Sequence, residues 1–206
     1  DEQFEKSQKK IDAGKKKVES GKSSISQGSE QLNSAINQTM DQQKKLYKTE
    51  QDLKKQLAEL KKQKASLEQI QTGIQTFMKS DAYTGIVTVL KDNPQLAESS
   101  EMQAQIKQVN AVVKKQFSAL SSLGITVNTY EDLPAASAEV GKLLTKVNTG
   151  MKTIERAQQK VESGKVSLAS ALDTLNANAS MTALQVSASS TELANAASSL
   201  ESAQSK

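Results

Sequence analysis

The chain has no cysteine, no histidine and no tryptophan, and its 206 residues include only three phenylalanines, three tyrosines, two prolines and one arginine. Each scarcity closes a class of chemistry. Without histidine, the side chain most used for proton transfer near neutral pH and the commonest transition-metal ligand is missing. Without cysteine there is no thiol nucleophile, disulfide or thiolate zinc site. With Arg156 as the sole arginine and 3% aromatics, the chain lacks both bidentate base and phosphate contacts and stacking platforms, so no nucleic-acid partner is expected. No run approaches the ~20 apolar residues that cross a bilayer; the longest apolar cluster is Gly85–Leu90. No catalytic residue, metal site or cofactor is expected.

What is present is Ala, Ser, Gln, Lys, Glu and Leu, a composition that suits long helices. Counting in sevens gives Phe4, Ile11, Val18, Ile25, Leu32, Thr39, Leu46, Leu53, Leu60, Leu67 and Ile74, an apolar seam broken only by the threonine. A heptad repeat held that long predicts a coiled-coil helix of roughly 110 Å. The pattern stops at Lys79-Ser80-Asp81, where Ser80 or Asp81 can cap a new helix, and resumes after Pro134, which suits a first helical turn. The second seam reads Val140, Val147, Ile154, Val161, Leu168 and Leu175, then shifts by four residues to Leu172, Ala179, Val186, Leu193 and Leu200. Such a stutter locally unwinds a left-handed supercoil. The expected fold is all-α: a long antiparallel coiled-coil hairpin with stalk helices over 1–78 and 135–206 and a small helical tip over 79–134.

Small residues recur in the first arm as apolar-x-x-Gly, with Gly14, Gly21, Gly28 and then Ala35. Glycine inside a helix costs about 1 kcal/mol relative to alanine. Close helix packing at the base of the hairpin is the expected compensation. If residue i lies opposite the residue numbered about 211 minus i, these glycines face the Ala- and Ser-rich stretch 182–197, while Leu46 to Leu67 face the bulkier stretch 142–165. The tetrapeptide VESG at Val18–Gly21 returns at Val161–Gly164, through shared composition or through descent of both arms from one unit.

The insert predicts a short helix over Asp81–Lys91, ended by Asp92-Asn93-Pro94. A second helix of about 25 residues follows, with the stripe Met102, Ile106, Val109, Val113, Phe117 and Leu120 and with Gly124 just past its end. The stripe is expected to be satisfied within a small helical cap; the alternative is a stripe that stays partly open and binds a partner. Tyr83, Ile86, Val87, Leu90, Phe117, Tyr130 and Leu133 are the candidates for a protein interface at the tip, since aromatic and aliphatic side chains at a projecting end make interfaces. The same residues are also the material for a tip core.

Residues 1–80 carry sixteen lysines against eleven acids, with runs at Lys15 to Lys17 and at Lys61, Lys62 and Lys64. Such runs solvate a helical face, or make weak contact with an anionic membrane or cell-wall polymer. The chain begins at Asp1 already inside the heptad pattern, as expected of an excised piece of something longer.

The stretch IDAGKKKVESGKSSISQGSEQLNSA at 11–35 resembles the extracytoplasmic helical hairpins of certain bacterial membrane proteins. It is most similar to the hairpin inserted after the first transmembrane helix of FtsX/MacB-like ABC transporter permeases of Gram-positive bacteria. The YhgE/Pip family, with its relative EsaA, uses a similar Leu-x-x-Gly repeat. The resemblance is specific over 11–35, faint at 161–175 and absent from the tip, and here the glycines of the first arm's repeat cease after Gly28. It implies a stalk at the extracellular face of the cell membrane, without chemistry of its own. Such a stalk transmits motion or presents a protein-binding surface, and meets ATP-binding subunits only through the membrane part. Two other readings are a secretion-accessory or phage-docking stalk and a pore-forming toxin; for the toxin, Gly85–Leu90 is too short.

Overall fold

The computed structural model describes residues 2–204, so Asp1, Ser205 and Lys206 fall outside it, as do the side chains of Phe4, Ile11, Leu193 and Leu200 from the expected seams. The described residues form helices and turns with no strand. Helix α1 spans Glu2–Met78 and closes on bonds from the Lys79 and Ser80 amides to Gln75, Thr76 and Phe77 carbonyls. Extended backbone at Ser80 then lets its hydroxyl accept from the Tyr83 amide, which starts α2, Asp81–Asp92. Asn93 and Pro94 end α2, because the residue before a proline is pushed out of helical geometry. A 3₁₀ turn, Pro94–Glu98, leads to Ser99, whose hydroxyl caps α3, Ser100–Gln116, at the Met102 amide.

The single 25-residue helix expected over this region is interrupted. After Phe117 the chain tightens into a 3₁₀ turn, Ser118–Leu123, before Gly124 closes it at φ 77°. The hydroxyls of Ser118, Ser121 and Ser122 each donate to the carbonyl three residues back, at 3.2, 2.8 and 2.7 Å. Serine's competition for backbone groups weakens the α-helix here, and the tighter turn buries both Phe117 and Leu120. A last 3₁₀ turn, Tyr130–Asp132, feeds α4, Leu133–Gln204, with Pro134 in its first turn as expected.

The chain is an all-α helical hairpin that divides by packing into two units, Asp52–Gln158, and Asp1–Gln51 with Gln159–Lys206. In the first, the end of α1 and the start of α4 run antiparallel and are joined by the insert. Its core takes Leu67 and Ile74 from α1, Ile86 from α2, Met102 and Val113 from α3, and Leu133, Ala136 and Val140 from α4. Phe117, Leu120, Val127 and Tyr130 close it from the loops. In the second unit α1 and α4 have only each other, and Thr39 and Val161 are its buried residues among those described.

The register is the one the sequence predicts. In the second unit Leu46 lies on Gly164, and in the first Leu60 lies on Gly150, the residue numbers of each pair adding to 210. The partners differ from expectation, however: leucines seat on glycines rather than on bulky residues, since a missing side chain on one helix is what admits a knob from the other.

Burial along the helices also places a second stutter. Buried and half-buried positions in α1 step through Ile25, Gly28, Leu32, Ala35, Thr39, Gln43 and Leu46, so two four-residue steps meet at Thr39. In α4 they step through Val161, Gly164, Leu168, Leu172 and Leu175, with two four-residue steps meeting at Leu168. The α4 shift was legible in the sequence. The α1 shift was hidden because the seven-residue count survives it. By the observed register both lie at one level of the same unit, where the Thr39 hydroxyl is spent on the Ala35 carbonyl at 2.8 Å.

Candidate functional site

The tip candidates form a core instead of a projecting interface. Ile86, Phe117, Tyr130 and Leu133 are buried, and Tyr83, Val87 and Leu90 are half-buried against them. The rings stack edge to face in a chain: Phe77 on Phe117 at 5.9 Å, Phe77 on Tyr83 at 6.5 Å, and Tyr83 on Tyr130 at 6.1 Å. Each such pair adds roughly 0.5–1.5 kcal/mol beyond its burial, so the aromatics concentrated here tie the insert together and hold it onto the end of α1. Sequence reasoning omitted Phe77 because it treated α1 as ending in plain stalk. The stripe from Met102 to Leu120 is satisfied internally, as expected.

Polar contacts fix the return to α4. The Asp132 carboxylate accepts from the amides of Asn128 at 2.8 Å and Thr129 at 2.9 Å, and from the Thr129 hydroxyl at 3.1 Å. The backbone bonds hold its pKa below 3.8. The Tyr130 amide donates to Asn110 Oδ1 on α3 at 2.8 Å. Burial, then the neighbouring Glu131, pushes the Tyr130 phenol up. On the stalk, Lys165 of α4 donates to Glu50 of α1 at 2.9 Å and to Glu162 at 3.0 Å, and these two bonds, Glu50 first, raise its pKa. Each of these shifts follows from a contact that shapes the fold. Among the described residues no three acids gather as a metal set, and no helix is long and apolar enough to cross a membrane.

The base glycines correct the sequence reading. A β-carbon on Gly14, Gly21 or Gly28 would meet nothing within 4 Å. Instead of close approach, the helices leave a cleft of about 800 Å³ lined by Val18, Gly21, Ile25, Val186 and Ser189. Val186, expected in the seam, is 37% exposed on this cleft. Further along the same unit, a groove of about 400 Å³ is walled by Gln43 and Tyr47 on one side and by Val166 and Ala169 on the other. Sequence reasoning missed both, although the Gly-rich turns facing an Ala- and Ser-rich stretch were the signal for the first.

Protein-family models, curated proteins and solved structures give no match to this chain. The candidate surfaces therefore stand on their geometry alone. On that footing, the exposed large apolar side chains divide between the insert, with Leu96, Val112 and Leu123, and the two-helix unit, with Met40, Tyr47, Val166, Met181, Leu184 and Val186.

Proposed function

We propose that the chain is an extracytoplasmic stalk of a membrane protein, of the kind inserted in FtsX/MacB-like ABC transporter permeases, and that it acts mechanically rather than chemically. The observation that carries this reading is the distribution of the core. Helices of 77 and 72 residues are joined by one small insert, and the unit that contains it, Asp52–Gln158, holds every buried apolar side chain among the described residues except Val161. A helical pair that spends so many residues to hold a head and return is suited to relaying motion or spacing a surface from its anchor. Because the aromatic tip residues are core, the partner-facing surface of the head is Leu96, Val112, Leu123 and the polar residues around them.

This chain has no cysteine, so a label recovered on its own peptides reports only an introduced thiol. A single Ser122→Cys variant in the intact parent protein, at an exposed position of the insert, should be labelled by a membrane-impermeant maleimide added to whole cells. Labelling only after lysis would overturn the extracytoplasmic placement. Hydropathy of the parent gene then separates the families: one transmembrane helix before and three after, beside an ATP-binding cassette gene, supports the permease stalk. One before and about five after, without that neighbour, favours the YhgE/Pip-like alternative.

A further inference from the structure

We propose that the open cleft between α1 and α4 in the two-helix unit seats a second copy of this chain, two such units joining about a two-fold axis parallel to their helices as a four-helix bundle.

Protein interiors tolerate few voids larger than a water molecule, so a cleft of about 800 Å³ between two heptad helices is an unfilled interface, not a packing fault. Its floor is apolar, from Val18, Ile25 and Val186. Gly21 leaves room for a side chain from outside. The outer wall on α4 continues as Met181, 60% exposed and eleven residues, close to three helical turns, from Glu192.

Charge names the occupant. Between Lys9 and Lys22, α1 carries six lysines and two acids. From Val166 to Gln204, α4 carries three acids and no base. Lys22 and Glu192 stand on opposite walls of the cleft, both exposed, and neither makes an ion pair among the described residues. With the two-fold axis along the bundle, each basic α1 acquires the partner's acidic α4 as its second neighbour, and every neighbouring pair is antiparallel. Lys22 of one copy then meets Glu192 of the other, twice. A second copy is thus complementary to the cleft in shape and in sign, and the proposal holds whichever membrane family the parent belongs to.

Sedimentation equilibrium of the full chain, from about 5 to 500 μM in low salt, tests this. The expected species at high concentration has twice the 22.2 kDa chain mass and dissociates as salt rises. Lys22→Glu and Glu192→Lys each place like charges together at two sites, so each should weaken association roughly tenfold, while the double reversal restores it. Far-UV circular dichroism should show all three variants as helical as the parent, since both positions are exposed. A monomer at every concentration, or a dimer indifferent to both reversals, would overturn the proposal.

Discussion

Leu46 Cδ1 stands 3.1 Å from the place that a β-carbon on Gly164 would take. A methyl group there makes the leucine shift, whereas one on Gly21 meets open space. Gly21→Ala should therefore stabilise the chain by about 1 kcal/mol from helix propensity alone. Gly164→Ala should gain distinctly less, and Gly164→Leu should lose stability because it wedges the helices apart. Urea unfolding of the three variants checks the order; equal gains for both alanine substitutions would contradict the seating of Leu46.

Phe117 separates core from interface. Its ring is buried and edge-on to Phe77 at 5.9 Å, so Phe117→Ala should cost about 3–5 kcal/mol of unfolding free energy. An interface residue would instead leave thermal stability near that of the parent, and a melting curve distinguishes the two.

Asp132 gives a pH signature of known sign. Its pKa in the fold lies below the ordinary 3.8, so its contribution is fully present above that value and is lost as pH falls through the lower, folded value. Asp132→Asn should cost about 1 kcal/mol near neutral pH, as loss of a capping carboxylate does. It should also flatten the acid limb of the stability–pH curve below about pH 4. A curve parallel to the parent's would assign the acid sensitivity elsewhere.

The sequence carried the hairpin, its register and the boundaries at Met78 and Leu133 to within two residues because each rests on local rules: a sustained heptad count, a serine cap, a proline in a first turn. The tip was less legible. Tyr83, Ile86 and Leu133 are the right residues for either a core or an interface, and only the position of α3 against α1 and α4 decides that they are core. The break after Phe117 was hidden by an apolar stripe that continues unbroken through it. At the base, glycine spacing suggested helices drawn together, yet glycine only permits approach. What closes a helix pair is side chains that fill it, and Val18, Ile25 and Val186 do not.

In one chain α1 and α4 fold back on each other at a register that adds to about 210, and one cross-link tests it. Gln43 and Ala169 wall the same groove within the two-helix unit. In a Gln43→Cys/Ala169→Cys variant, a short bis-maleimide at high dilution should join the two cysteines within one chain. The product would migrate as a monomer, and its linked peptides would come from α1 and α4. Cross-links formed only between chains, or none at all, would contradict the hairpin and leave each long helix to find its partner on another molecule.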